Sequence, residues 1–206
     1  RSILIDSGAD LLIYGMGESQ ITEIAELLAS GVNVRDIKSV RGTAYKEDNE
    51  NCLPTDAVVI ADYDTVSGDK RSYAEATAKQ YAEQDAVRGH AVVQKDRDKY
   101  IVQNPPAFPL TTEELDKVYE LPYVGAAHPC YDELGGVPAI DEVRFSITSS
   151  RGCFGACSFC ALTFHQGRTV TARSQQSIIK EAEKLTQRAD FKGYIHDVGG
   201  PTANFR

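Results

Sequence analysis

Apolar and polar positions follow different periods along the chain, and the changes of period mark its elements. Leu11-Leu12-Ile13-Tyr14 is a short apolar run of the buried-strand type, entered through Gly8 and left through Gly15-Met16-Gly17. Next, Ile21, Ile24, Ala25 and Leu28 recur at helical spacing and predict a helix with one apolar stripe, capped by Ser19 and ended at Gly31. Residues 1–36 thus read as helix, strand, helix, the rhythm of a doubly wound α/β sheet. Residues 37–68 are mixed, with a predicted strand at Ala57-Val58-Val59-Ile60-Ala61. Residues 69–88 are rich in helix formers and end at Gly89.

Ala91-Val92-Val93 and Tyr100-Ile101-Val102 flank the charged run Lys95-Asp96-Arg97-Asp98, which predicts a hairpin that Asn104-Pro105-Pro106 terminates. Thr111 and Glu114 have capping-box spacing at the start of a short helix. Pro122 to Pro138 holds three prolines and three glycines with no period and reads as a linker over residues 122–138. Beyond it, Val143-Arg144-Phe145-Ser146-Ile147 alternates as a strand and leads to a cysteine-bearing loop. A helix capped by Ser174, with Ile178, Ala182 and Leu185 on one face, precedes a second strand at Gly193–Val198. The domain reading is an α/β part with added α+β structure (1–121), a linker (122–138), and the opening of a parallel α/β barrel or sheet (139–206). In such barrels, sites sit at the carboxyl ends of strands, where both the cysteine loop and Gly199-Gly200-Pro201 fall.

Composition narrows the class. A chain of 206 residues can form one large or two small domains without disulfide staples. The net charge of −8 argues against non-specific nucleic-acid binding, and the tyrosines are not interleaved with a basic stripe. No apolar run is long enough to span a membrane and no signal-peptide pattern opens the chain. Five cysteines, three of them crowded, read poorly as a disulfide set, so a reducing cytoplasm is the expected location. Starting at Arg1 and stopping at Phe205-Arg206, shortly after a strand-like run, the chain reads as an excised internal piece.

Cys153, Cys157 and Cys160 stand at C-x3-C-x2-C spacing, so three thiolates can reach one soft-metal centre, with Gly152, Gly155 and Ala156 allowing a tight backbone curl. Four cysteines normally complete an iron–sulfur cubane; three leave one iron open for chemistry. Phe154 and Phe159 are expected to lower solvent access. The spacing, the aromatic Phe159 before the last cysteine and the Gly199-Gly200 pair after the next strand resemble the radical S-adenosylmethionine (radical SAM) superfamily. Ser149-Ser150-Arg151-Gly152-Cys153 and the closing Asp197–Arg206 are similar to the YgiQ family, and the helix–strand–helix start resembles the last part of that family's Rossmann-like domain. The resemblance thus implies a fragment of a Rossmann-like domain followed by the first βα units of a partial TIM-type (βα) barrel.

That resemblance implies that Cys153, Cys157 and Cys160 bind a [4Fe–4S] cluster whose fourth iron S-adenosylmethionine chelates. It also implies that Phe159 lies near the adenine and Gly199 and Gly200 near the methionyl amino group. The implied activity is reductive cleavage of S-adenosylmethionine to a 5′-deoxyadenosyl radical, fed by an external electron donor of flavodoxin or ferredoxin type. Pro201 stands where the superfamily commonly carries Glu.

Other readings compete. His165 could close a structural Cys3His zinc site with the three cysteines, making the chain a non-catalytic zinc- or iron–sulfur-stabilised interaction or electron-transfer module. The Gly15-Met16-Gly17-Glu18 turn lacks the third glycine of a dinucleotide fingerprint and places a carboxylate where a phosphate would sit, so it reads as a tight turn. Cys52 and Cys130 read as buried structural thiols. At most one of His196 and Asp197 can face a site, because strand neighbours alternate. His90 and His128 have no supporting constellation. No Asp-x-His-x-x-Gly run offers a cobalamin ligand.

Overall fold

The computed structural model describes residues 2–201, so the stretch Thr202–Arg206 of the closing motif lies outside the described residues. In chain order the elements are α1 (Ile3–Asp6), β1 (Leu11–Ile13), α2 (Glu18–Ala29), β2 (Thr43–Glu47), β3 (Val58–Val59), α3 (Tyr63–Gly68), α4 (Lys70–Ala82), β4 (Val92–Asp96) and β5 (Lys99–Gln103). They continue with α5 (Thr112–Glu120), α6 (Ile140–Val143), β6 (Ser146–Thr148), β7 (Ser150–Arg151), α7 (Leu162–Gln166), β8 (Thr171–Ala172), α8 (Gln175–Thr186) and β9 (Asp197–Gly199). The chain forms two compact units. The described residues up to Phe108 group with Cys157–Arg168, and Pro109–Ala156 group with the described residues from Thr169 onward.

The first unit is built on a mixed sheet in the order β1-β2-β5-β4-β3. The hairpin forms as the charged turn predicts: Asp96 pairs with Lys99 across a two-residue loop, and Arg97 takes φ +60 in the left-handed region. β1–β2, β2–β5 and β4–β5 are antiparallel, and β3–β4 alone among the described pairs of this sheet is parallel. The α/β class therefore stands, but within these residues the doubly wound rhythm read for 1–36 yields an antiparallel edge instead of a parallel crossover. β4 alternates between the two faces. Val93 joins Tyr45, Ala91 and Val102, while Val92 joins Ile60 and Ala76 beneath α4.

Several boundaries move for identifiable reasons. α2 starts at Glu18 on Gly17, so Ser19 lies inside the helix and is not its cap. Gly31, at φ +91, does end it in the left-handed conformation that favours glycine. The buried face of α2 is Gln20, Ile24 and the half-buried Leu27, packed towards Ile37 and Val40; Ile21 and Leu28 are exposed. The helix predicted over 69–88 stops at Ala82, and Gly89 serves the following loop, where its N–H donates to the Asp85 carbonyl at 2.9 Å.

β2 falls in the stretch read as mixed because its sequence, Thr-Ala-Tyr-Lys-Glu, is half polar. It is nevertheless an interior strand, and Thr43, Ala44, Tyr45 and Glu47 are all buried. The polar members are satisfied by tertiary partners. Asn104, just past β5, donates from its side-chain amide to the Lys38 and Val40 carbonyls and to Thr43 Oγ1, at 2.9–3.1 Å. Glu47 receives Lys38 Nζ at 2.6 Å and the backbone N–H groups of Asp48 and Asn49. The lysine hydrogen bond holds the Glu47 carboxyl below, and the Lys38 ammonium above, its ordinary range. Tyr14, half-buried where it donates to the Asn104 carbonyl at 2.5 Å, has its phenol pushed up to about 12 by desolvation.

In the second unit, the capping box of α5 is complete: Thr111 and Glu114 each bond the other's backbone N–H. Ser174 caps α8 by accepting from the Ser177 N–H, and Ile178, Ala182 and Leu185 form its half-buried face. The strand predicted from Val143 begins at Ser146, since Val143 closes α6. No helix among the described residues is long and apolar enough to cross a membrane.

Candidate cysteine-loop site

β6 and β9 lie side by side and parallel, with Ser146, Ile147 and Thr148 opposite Asp197, Val198 and Gly199, and α8 falls between them in sequence. Parallel neighbours need such a crossover. The register brings two carboxyl ends together: Thr148, from which the chain runs through β7 to the cysteine loop, and Gly199. The Ser149 N–H donates to the Gly199 carbonyl at 2.6 Å, tying the first residue beyond β6 to the end of β9. β7 then pairs antiparallel with β8, and Gly152 turns the chain at φ +89; a Cβ there would lie 2.0 Å from the Thr169 carbonyl oxygen.

A buried arginine supports this end of the strand pair. Arg173, 3% exposed, donates to the Thr148 carbonyl at 2.9 Å and to Ser177 Oγ, pairs with Glu181 of α8, and stacks its guanidinium 4.1 Å from the Tyr119 ring centroid. Its own N–H donates to the Ser149 carbonyl at 2.9 Å. One side chain therefore joins α5, α8 and the carboxyl end of β6. Asp116 of α5 accepts from the Ser174 N–H at 3.0 Å. Burial pushes its carboxyl up, but the hydrogen bonds from Ser174 and Ser177 outweigh this and hold it below the usual aspartate range. Hydrophobic periodicity gave no signal for Arg173, Tyr119 or Ser150. The nearest hint was the position of Arg173 immediately before the cap residue Ser174.

Cys153 is buried and its Sγ accepts the Gly155 N–H at 3.4 Å; it groups with the second unit. Ala156 takes φ +47, an uncommon left-handed conformation for a residue with a Cβ. Cys157, exposed, and Cys160, half-buried, group with the first unit, and the Cys160 N–H donates to the Cys157 carbonyl at 3.0 Å. Among the described residues no three His, Cys, Asp or Glu side chains are gathered so as to hold a metal ion. The fit to an iron–sulfur cluster therefore rests on the chemistry of the donor set, three thiols in one tightly curled loop, and not on an assembled ligand shell. The same holds for the zinc alternative, since His165 on α7 is exposed. The two aromatics expected to screen the loop are themselves exposed, Phe159 to 90% and Phe154 to 61%.

The remaining candidates resolve into structural roles. Gly17 packs so closely that a Cβ would sit 2.9 Å from Ile13 Cγ2, in keeping with a tight strand-to-helix turn. His196 stacks on Tyr194 at 4.9 Å, and its N–H donates to the Phe145 carbonyl. His90 bonds Glu83, and His128 caps a short 3-10 turn by accepting from the Cys130 N–H. Cys52 and Cys130 are exposed, contrary to the expectation of buried thiols.

Fold and loop together define an α/β protein whose cysteine motif follows a parallel strand pair, five residues beyond the carboxyl end of β6. Residues 1–146 match the family model described as Radical SAM N-terminal, and the chain belongs to that family. The match ends before Cys153, so it is independent of the cysteine spacing. Over all 206 residues the chain is 59% identical to proteins named "UPF0313 protein" from Clostridium botulinum strains ATCC 19397 and Loch Maree, and 56% identical to one from Clostridium perfringens strain ATCC 13124. It covers 32%, 32% and 31% of those proteins, so it spans about a third of the length of the curated relatives it matches. No solved structure matches the chain.

Proposed function

We propose that these residues serve a radical SAM enzyme of YgiQ type, with Cys153, Cys157 and Cys160 holding a [4Fe–4S] cluster and Gly199, Gly200 and Phe159 lying against S-adenosylmethionine. When bound, the cluster would supply the electron that cleaves the sulfonium reductively to methionine and a 5′-deoxyadenosyl radical, replenished by an external flavodoxin- or ferredoxin-type donor. One observation carries the reading: the C-x3-C-x2-C segment follows β6 after only the short β7 and Gly152, and Gly199 lies opposite the carboxyl end of β6 across a parallel pair. In open α/β arrangements and barrels, ligands bind at the carboxyl ends of parallel strands.

The same geometry supports the domain proposal. The β6–α8–β9 unit is the opening of a (βα) barrel core at 139–206, preceded by a linker over 122–138. Residues 1–121 are the C-terminal part of a Rossmann-like domain, whose antiparallel strands are of the kind that edge many mixed sheets. The chain's own residues supply positioning. Arg173 holds the carboxyl end of β6, and Gly152 lets the backbone turn into the loop.

The test uses a protein of the relatives' full length carrying these residues, reconstituted anaerobically with iron and sulfide. Formation of 5′-deoxyadenosine on reduction with S-adenosylmethionine is the expected result, together with its loss in Cys157→Ala. Stoichiometric zinc with no 5′-deoxyadenosine would replace the enzyme by the zinc-stabilised module.

A further inference from the structure

The glycine pair after β9 carries two different constraints. At Gly199 the nearest group to a Cβ would be the Asp197 carboxylate, at 3.2 Å, and that side chain is exposed and can move. At Gly200 a Cβ would lie 2.1 Å from Ser150 Oγ, 3.4 Å from Ser150 Cβ and 3.1 Å from the Ser150 carbonyl oxygen. No real Cβ tolerates the first of these distances. Gly200 is also absent from the residues with positive φ, so its backbone conformation does not itself call for glycine. Ser150 Oγ must swing about its one torsion to admit a Cβ, and even then the Ser150 carbonyl oxygen stays tighter than an ordinary Cβ contact, so the close approach of Ser150 is what disfavours a side chain there.

Ser150 has little freedom to yield. It is 6% exposed, pairs with Ala172 across β7–β8, and stands three residues before Cys153. Its predecessor Ser149 is held from two sides: its N–H donates to the Gly199 carbonyl and its carbonyl accepts the Arg173 N–H. We infer that Gly200 is a positioning residue, whose missing Cβ lets Ser150 seat against the end of β9 and so fixes the start of the segment that leads to Cys153. The purpose of that segment rests on the proposed function; the steric seat does not.

The experiment is a double-mutant cycle, Gly200→Ala, Ser150→Gly and the pair together, in a protein of the relatives' full length. Two readouts are taken: amide hydrogen exchange over residues 149–153, and iron bound per chain after anaerobic reconstitution. Gly200→Ala is expected to speed exchange on the order of tenfold, the scale of an overpacked buried contact, and to reduce bound iron by half or more. Ser150→Gly removes the hydroxymethyl group that the new methyl would strike, and is expected to restore both signals in the Gly200→Ala background. Unchanged exchange in Gly200→Ala, or no recovery in the double variant, overturns the seat. Recovered exchange without recovered iron overturns the positioning role. If the unsubstituted protein binds no iron, the proposed function and the positioning role fall together, while the exchange cycle still decides the seat.

Discussion

The Arg173 guanidinium donates to the Thr148 carbonyl at 2.9 Å, so a side chain buried ahead of α8 holds the last residue of β6, from which the chain runs through β7 to the cysteine loop. The same guanidinium pairs with Glu181 and stacks on Tyr119, so its charge is neutralised and most of its donors are used. Arg173→Ala leaves the Glu181 carboxylate without its counter-charge and Thr148 and Ser177 without a donor. It is expected to cost about 3–4 kcal/mol, read as a fall in the urea-unfolding midpoint. Arg173→Lys should recover less than half of that, because an ammonium neither stacks nor bridges as a planar fork does.

The Lys38–Glu47 pair sets an acid dependence of stability. The Glu47 carboxyl sits below its ordinary value of 4.5 in the folded chain, chiefly through the Lys38 hydrogen bond. Its contribution is therefore present above that value and lost as the pH falls through the lower, folded one. Lys38 is raised above 10.5 by the same bond, so its contribution is present below that value and lost only as the pH rises through the higher, folded one. Urea midpoints measured between pH 6 and pH 3 should fall less steeply in Glu47→Gln than in the unsubstituted chain.

Asn104 tests how the polar strand β2 is kept inside. Its amide donates to two carbonyls and to Thr43 Oγ1. Asn104→Ala is expected to cost about 2–3 kcal/mol by leaving buried acceptors unpaired. Asn104→Asp, nearly the same shape, should be at least as damaging at pH 7 because a carboxylate would face those same acceptors. Lowering the pH should relieve part of that excess by protonating it, and paired denaturation curves at pH 7 and pH 5 provide the check.

Phe159 separates fold from ligand. At 90% exposure its removal should change stability by less than about 0.5 kcal/mol. If it lies against the adenine, Phe159→Ala should nonetheless weaken S-adenosylmethionine binding several-fold in the reconstituted full-length protein, measured by equilibrium titration. Equal binding in both proteins would remove Phe159 from the site.

Several features were legible in the residues themselves because their determinants are local. The Thr111–Glu114 capping box, the Ser174 cap, the hairpin at the charged run Lys95–Asp98 and the C-x3-C-x2-C spacing each depend on groups a few positions apart. Other features were decided only by the tertiary structure. β2 lies inside the sheet although half polar, because Lys38, nine positions from Glu47, and Asn104, 61 positions from Thr43, satisfy its buried groups. Gln20 is buried while Ile21 and Leu28 are exposed, because the rotation of α2 is set by what Ile24 meets at Ile37 and Val40, not by its own stripe. The antiparallel pairing of β1 and the seat of Ser150 against Gly200 likewise come from segments that meet only on folding. Short-range hydrogen bonds can be read from spacing along the chain; strand order and buried polar partners depend on long-range contacts that spacing does not encode.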